Sequence, residues 1–269
     1  MQREQLIAAA RELSREVSAL KFEAPVAYTY NPLEYAWDGH EAYIRKFGAG
    51  QKDVLYLGMN PGPFGMAQTG VPFGEIPAVT LWMGITASVG QPEKTHPKRP
   101  VQGFSCPRSE VSGRRLWGLF EEMYGTAENF FRHAYVANYC PLIWMGKTGA
   151  NITPTQLPKS QVEALDAACQ RHLVRLLEIL EPRVLIGVGG YALKQLEIAA
   201  SALPEKKFTL GTMLHPSPAS PVANKFWPAR PKEQIEQILA LSCKKEPHRP
   251  QTSGAENYLV SRFRCQFMS

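Results

Sequence analysis

Residues 54–66 read VLYLGMNPGPFGM, and they indicate the fold more directly than any other stretch of the chain. The first four residues form an apolar run with the length of a short buried strand. The glycines and prolines that follow stop regular structure and predict a rigid, tightly turned loop. Gly62 and Gly65 carry no side chain, so a ligand can approach the main chain there. In an open α/β sheet, ligands bind just beyond the carboxyl ends of the strands, where this loop would lie.

Strands and helices alternate through the rest of the chain, which predicts an α/β fold. The predicted sheet is four-stranded and mainly parallel, with helices covering both faces. The predicted strands are 53–57, 134–138, 183–188 and 208–214. The predicted helices are 4–20, 40–47, 77–87, 112–123, 159–180, 191–200 and 227–241.

The domain organisation follows from length and composition. A chain of 269 residues that is 44% hydrophobic and 20% charged suits one large globular core. We expect a single domain over residues 1–243, opening with an N-terminal helix within 1–20. Residues 244–269 are polar and predict a poorly ordered tail.

Charge and cysteine content exclude several classes of protein. The net charge of +6 is compatible with a polyanionic partner but does not establish one. The five cysteines are widely spaced and form no C-x-x-C pair or Cys/His cluster, so we expect no metal, no cofactor and a reducing compartment. No apolar run is long enough to span a bilayer and the N-terminus does not read as a signal peptide, so we expect no membrane partner.

Three polar residues stand at equivalent places in the predicted sheet. Asn60, Asn138 and His215 each lie at, or just beyond, the carboxyl end of a different strand. Any one of them alone would most simply be a turn former or a structural side chain. Since the carboxyl ends of parallel strands share one edge, the three side chains together predict a common pocket.

The chemistry of that pocket suits a nucleobase. Two carboxamides and an imidazole, with no carboxylate nearby, favour a neutral planar ligand. An asparagine offers a donor and an acceptor in one plane, so it can pair with N3–H and O4 of a pyrimidine together. Phe73 or Phe64 could stack on the base and add roughly 1–3 kcal/mol, although core packing explains either ring equally well.

The residues around Asn60 resemble a known family. Residues 58–75, GMNPGPFGMAQTGVPFGE, are similar to the first motif of the single-strand-selective monofunctional uracil-DNA glycosylases. His215-Pro216-Ser217-Pro218, followed by Pro221, Asn224 and Lys225, resembles the second motif of that family. The segments 96–100 and 109–113 are also similar to family segments, and the likeness covers about residues 20–240.

This resemblance implies a fold and an activity. The fold would be a three-layer αβα sandwich around a four-stranded parallel sheet, the uracil-DNA glycosylase fold. The activity would be removal of uracil, 5-hydroxymethyluracil and related oxidised pyrimidines from single- and double-stranded DNA, which initiates base excision repair. The enzyme would be monofunctional, since no lysine nucleophile is needed. We expect a monomer, located with the nucleoid in a bacterial cytoplasm or in the nucleus of a eukaryote.

The resemblance also implies residue roles. Asn60 would position the attacking water and His215 would stabilise the departing base as the catalytic pair. Asn138 would read the pyrimidine edge while Phe73 stacks on it. Gly62, with Met59 and Met66, would shape the pocket near the C5 substituent.

DNA contacts are expected from the second motif and from basic residues. The vertebrate members carry an arginine in the loop that wedges into the duplex, and Ala219 stands at that position here. Duplex penetration would therefore be weaker, or performed by Val222, Lys225 or Phe226. The expected DNA-binding residues are Ser217, Pro218, Ala219, Lys225, Lys98 and Arg99, with Lys94, Arg114 and Arg115 as further candidates for phosphate contact.

Three other functions are compatible with parts of the sequence. Residues 187–192 fit G-x-G-x-x-A after a strand, the pattern of a dinucleotide-binding oxidoreductase. Glu205, however, precedes the next strand instead of ending it, so we interpret these glycines as close strand–helix packing. A glycosylase specific for mismatched uracil or thymine and a non-catalytic protein that flips damaged bases are the remaining alternatives.

Overall fold

A computed structural model of the chain describes residues 1–244, with the side chains described up to residue 243. The predicted tail therefore lies, beyond its first residue, outside the described part. None of the helices in that part is both long and apolar enough to cross a lipid bilayer.

The described part contains ten α-helices and seven strands. The helices are α1 (Gln2–Ser18), α2 (Pro32–Tyr35), α3 (Trp37–Phe47), α4 (Met66–Thr69), α5 (Val111–Tyr124), α6 (Ala127–His133), α7 (Lys159–Leu180), α8 (Gly190–Ser201), α9 (Pro221–Phe226) and α10 (Ala229–Lys244). The strands are β1 (Tyr28–Tyr30), β2 (Val54–Gly58), β3 (Ala134–Asn138), β4 (Ile143–Met145), β5 (Asn151–Ile152), β6 (Val184–Val188) and β7 (Thr209–Met213).

The central sheet has four parallel strands in the order β3-β2-β6-β7. These are the four strands predicted from the sequence, shifted by at most one residue at either end. β2 and β6 are buried at every position, as expected of parallel strands covered on both sides. The predicted α/β fold class is confirmed.

Two glycines show that helices cover both faces of this sheet. Gly187 of β6 faces the backbone of Leu193 in α8, with which any Cβ would collide. Gly211 of β7 faces the Ile238 side chain of α10 in the same way. Gly187 pairs in register with Thr212, so Gly187 and Gly211 lie on opposite faces. The arrangement is the predicted three-layer αβα sandwich, and Gly187 packs strand against helix as expected.

The hydrophobic core on the α10 face is rich in aromatic side chains. The Tyr56 ring of β2 lies 4.8 Å from that of Phe120 in α5 and 6.0 Å from that of Phe130 in α6. Tyr56 pairs with Ile186, which shares its face with Gly211, so α5, α6 and α10 cover the same side. Such rings contribute large buried areas. Gly113, near the start of α5, approaches the Phe73 carbonyl, so this end of the helix lies close to the carboxyl edge of the sheet.

The structure corrects the sequence prediction in three respects. Four short helices were not predicted: α2, α4, α6 and α9. The helix predicted at 77–87 is a five-residue π-helix, Ala78–Trp82. A second, antiparallel sheet in the order β1-β4-β5 was missed. Its strands have two or three residues, too short for a clear period-2 pattern.

The small sheet anchors the long excursion at residues 91–100. The hydroxyl of Tyr30 in β1 donates to the carbonyl of Arg99, at 2.8 Å, and accepts from the amide of His96, at 2.7 Å. Arg99 Nε donates to the Gly149 carbonyl at 3.1 Å. The excursion is thereby fixed beside the first loop of the central sheet.

Candidate active site

The three predicted polar residues lie along one edge of the central sheet. Asn138 ends β3, Asn60 follows β2 and His215 follows β7. Because the four strands are parallel, all three are at the carboxyl edge. β3 and β7 are three strand spacings apart, or about 14–15 Å, so the residues span most of the sheet.

Gly58 makes room for the side chains expected to hold a base. A Cβ on Gly58 would lie 2.5 Å from Asn138 Oδ1 and 2.6 Å from ring carbons of Phe73. The Asn138 amide nitrogen lies 3.4 Å from the Met66 sulfur. The structure therefore brings Asn138, Phe73 and Met66 together above the end of β2, and their expected roles toward a base stay predictions.

Asn60 is oriented by backbone carbonyls. Its Nδ2 donates to the carbonyl of Leu142, at 3.2 Å, and lies 3.4 Å from that of Pro61. A carbonyl can only accept a hydrogen bond, so the amide nitrogen must face these groups. Oδ1 therefore points away from them and can accept a hydrogen bond from a water molecule. The segment that holds Asn60 follows β3, so the two asparagine loops support each other.

The hydrogen bonding of His215 fixes its tautomer. The backbone N–H of Ser217 donates to Nδ1 at 3.1 Å, so Nδ1 carries no proton in the neutral ring and Nε2 does. Burial lowers the pKa of His215 from its ordinary value, so the ring is neutral at pH 7. His215 thus presents a neutral Nε2–H donor.

A glycine also sets the position of His215. A Cβ on Gly189, which has φ 92° and follows β6, would lie 3.3 Å from the His215 Cβ. The imidazole therefore lies over the end of β6, one strand closer to the asparagines than its own strand. That leaves about 9–10 Å, two strand spacings, between the His215 and Asn138 positions.

Phe73 is held in an unusual backbone conformation. Its φ is 51°, in the left-handed region that bulky residues rarely adopt. Its carbonyl accepts from Trp117 Nε1, at 3.0 Å, and from the Glu75 amide, at 2.7 Å. Gly113 of α5 faces the same carbonyl, with which any Cβ would collide. Helix α5 thus supports the ring expected to stack on the base.

Gly62 and Met59 have neighbours that the sequence did not indicate. A Cβ on Gly62 would lie 3.0 Å from a carboxylate oxygen of Glu110, and one on Gly65 would lie 2.8 Å from Glu110 Cγ. Burial raises the pKa of this carboxyl group. Met59 is half-buried, and its carbonyl accepts from the Cys140 amide at 2.9 Å. Close packing against Glu110 therefore accounts for both loop glycines. The expected role of Gly62 near the C5 substituent stays a prediction.

The second motif forms an exposed turn next to His215. Ser217 Oγ accepts from the Ala219 amide at 3.1 Å, and the side chains of Pro218 and Ala219 are exposed. The exposed Lys225 ammonium lies 5.1 Å from the Phe226 ring centroid. These residues are available to a macromolecular partner.

A basic rim borders the first loop. The guanidinium of Arg99 lies 5.4 Å from the Phe64 ring centroid and that of Arg108 lies 5.1 Å from it. Lys98, next to Arg99, is exposed. Phe64 is therefore occupied by these cations, which leaves Phe73 as the aromatic residue beside Asn138.

Sequence reasoning missed the residues that support the site. Four residues lie next to the predicted side chains: Gly58, Gly189, Gly113 and Trp117. Ordinary strand and helix patterns account for the presence of all four equally well. A glycine as the last residue of a strand was the one available signal. Within residues 1–243, no group of three or more His, Cys, Asp or Glu side chains could hold a metal ion.

Comparisons with known proteins agree with this architecture. A sequence model of the uracil DNA glycosylase superfamily matches residues 45–240. The protein named single-strand selective monofunctional uracil DNA glycosylase from Bos taurus is 48% identical over 230 residues, 85% of this chain and 84% of the relative. Its Rattus norvegicus counterpart is 46% identical over 229 residues, 85% of this chain and 82% of the relative.

Among solved structures, wild-type Pedobacter heparinus SMUG2 is similar in fold. The TM-score is 0.59 at 18% identity, over 88% of this chain and 97% of that one.

Proposed function

The chain belongs to the uracil DNA glycosylase superfamily, within its single-strand selective monofunctional family, and from that premise we propose how it excises uracil from DNA. The activity is hydrolysis of the N-glycosidic bond without strand cleavage. The observation that carries the proposal is the pair of oriented groups at one sheet edge: Asn60 with Oδ1 turned away from its backbone partners, and His215 with its proton on Nε2.

Binding of the base uses the group above Gly58. Uracil stacks on Phe73, and Asn138 pairs with N3–H and O4 through its donor and acceptor. Met66 supplies an apolar wall beside Asn138, and Gly62 and Met59 lie in the adjoining loop. The base reaches these residues by leaving the helical stack, which costs a few kcal/mol and least for a single-stranded or mismatched base.

Bond cleavage relies on electrostatics and a positioned water. As the bond between C1′ and N1 breaks, negative charge develops on the uracil and positive charge on the sugar. His215 donates Nε2–H to O2 and stabilises the leaving anion. Asn60 Oδ1 orients the water that adds to C1′. A carboxamide cannot take the water's proton as a carboxylate would, so that proton passes to solvent after attack.

The substrate range and setting extend the same proposal. The enzyme accepts single- and double-stranded DNA and also 5-hydroxymethyluracil, and it works as a monomer. With Ala219 in the second motif, the exposed Val222 and Phe226, at 42% and 41%, are the apolar side chains available to enter a duplex. The enzyme acts where the genome is: at the nucleoid of a bacterium or in a eukaryotic nucleus.

Single-turnover release of uracil from a single-stranded oligonucleotide tests the proposal. Asn60→Ala should lower the rate about 100-fold, the scale of losing a positioned reactant. His215→Ala should lower it about 10²–10³-fold, the scale of losing one donor to a developing anion. Both variants should bind uracil-containing DNA with affinity close to that of the wild type.

The same assay separates the alternatives. A wild-type protein that binds damaged DNA but releases no base would be a non-catalytic flipping protein. Release from U:G pairs but not from single strands would indicate a mismatch-specific glycosylase. Wild-type rates in the Asn60→Ala variant would remove Asn60 from the mechanism.

A further inference from the structure

The Arg115 guanidinium on α5 donates hydrogen bonds to the second motif. Its Nη1 lies 3.2 Å from the carbonyl of Pro216 and 3.3 Å from that of Ser217. Its Nη2 donates to Asn224 Oδ1 at 2.8 Å. The sequence made Arg115 a candidate for phosphate contact, but in the structure its guanidinium is turned toward these three acceptors.

Asn224 completes the support. Its Nδ2 donates to the carbonyl of Pro218 at 2.9 Å, and its backbone amide donates to the carbonyl of Ser220 at 3.0 Å. Arg115 and Asn224 together therefore donate hydrogen bonds to the three consecutive carbonyls of residues 216–218. These carbonyls follow His215 directly.

The loop needs donors from outside because of its composition. Pro216 and Pro218 have no N–H group. The Ser217 and Ala219 amides are already used on His215 Nδ1 and Ser217 Oγ. Within the loop, the Ser220 amide donates to the Ser217 carbonyl at 3.1 Å, whereas the carbonyls of Pro216 and Pro218 accept from Arg115 and Asn224. A planar guanidinium serves several acceptors at once with fixed geometry, which a lysine ammonium cannot reproduce.

We infer that Arg115 is a positioning residue for His215: it holds residues 216–218 so that the Ser217 amide stays on Nδ1 and the Nε2–H stays aimed at the base. The inference rests on the proposed function, since it concerns the rate of uracil release. It separates the two basic neighbours on α5, because Arg114 is exposed while Arg115 is half-buried under the loop.

The test compares Arg115→Lys with Arg132→Lys, which keep the charge at both positions. Arg132 is exposed near the end of α6, just before β3 begins, so it lies at the amino edge of the sheet, opposite the site. Single-turnover release of uracil from single-stranded DNA and the salt dependence of DNA binding are measured for each. We expect Arg115→Lys to lower the rate about tenfold, with binding affinity and salt slope unchanged. Arg132→Lys should stay within about twofold of the wild type.

A second variant guards against a simple folding defect. Asn224→Ala removes the other end of the support without touching a charge, and it should reproduce the rate loss with the same thermal midpoint as Arg132→Lys. The double variant Arg115→Lys/Asn224→Ala should lose little more than the stronger single variant, because residues acting through one unit are not additive. Losses that multiply would overturn the inference.

The remaining outcomes also decide the question. If Arg115→Lys weakens binding and reduces the salt slope, with no loss of rate on bound DNA, Arg115 is a phosphate contact and the inference is wrong. If Arg115→Lys matches Arg132→Lys in an active enzyme, the inference alone fails. A wild-type protein that releases no uracil would overturn the proposed function and this inference with it.

Discussion

Phe73 shows at the scale of one residue how the site depends on its surroundings. A left-handed backbone at a non-glycine residue costs on the order of 1–3 kcal/mol. That cost is offset by the two hydrogen bonds to the Phe73 carbonyl from Trp117 and Glu75. The ring over Gly58 is therefore placed by contacts made below it rather than by its own backbone preference.

Replacing Trp117 with phenylalanine should disturb this placement. The ring volume is largely kept, but the N–H donor to Phe73 is lost, a change of about 1 kcal/mol. We expect kcat/KM for single-stranded uracil DNA to fall about three- to tenfold, measured in steady state.

Trp82 provides a matched control for that prediction. It belongs to the same aromatic cluster, 5.9 Å from the Trp117 ring, and donates to the Gly125 carbonyl at 2.9 Å. Gly125 lies beyond the far end of α5, so Trp82→Phe should leave kcat/KM unchanged. Equal losses in both variants would show a general effect of the cluster rather than positioning of Phe73.

At the scale of one element, α5 contributes to the site through one edge. Glu110 at its start lies against Gly62, and Gly113 and Trp117 lie under Phe73. The opposite side of the helix is exposed at Gly118, where a Cβ would have nothing within 4 Å. A side chain at position 113 would therefore collide with the Phe73 carbonyl, whereas one at position 118 would meet no other atom.

Alanine substitution at these two glycines should have opposite effects. Gly118→Ala should raise the free energy of unfolding by about 0.5–1 kcal/mol, because glycine inside a helix is less favourable than alanine. Gly113→Ala should lower it and slow uracil release, because its Cβ collides with the Phe73 carbonyl. Urea denaturation measures the first effect, and equal stability of the two variants would contradict the close approach at Gly113.

At the scale of the whole molecule, two half-buried histidines link stability to pH. Burial lowers the pKa of His40 and of His172 to about 4. Both line a small cavity of about 30 Å³ behind Asn138 and Met66. The His172 Nδ1 in this region is buried without a hydrogen-bond partner among the described residues.

The sign of the pH effect follows from these values. Below about pH 6.5 the unfolded chain takes up protons on both histidines, while the folded chain does so only near pH 4. The free energy of unfolding should therefore fall between pH 7 and pH 5, by about 1–2 kcal/mol for each histidine. Urea titrations at the two pH values measure the drop, which should shrink in a His40→Gln/His172→Gln variant. An equal drop in that variant would assign it to other groups.

Local patterns along the chain suffice to predict the central sheet and the residues at its edge. β2, β3 and β6 are largely apolar runs, which become buried where helices cover both faces, whereas β7, Thr209–Met213, is a partly exposed edge strand with two threonines. Since parallel strands end at one edge, Asn60, Asn138 and His215 had to share it. The two motifs, rich in glycine and proline, also marked the loops that carry the first and last of these residues.

The orientation of those side chains depends on contacts between distant parts of the chain. The tautomer of His215 depends on a turn two residues later, and the orientation of Asn60 depends on a carbonyl 82 residues away. Trp117 and Arg115 act on loops 44 and about 100 residues distant. Such long-range contacts produce no periodic pattern in the sequence. Within two turns of one helix, some residues face the core, some contact a loop of the site and some face solvent. The short strands of the second sheet were missed for the same reason, since pairing rather than pattern defines them.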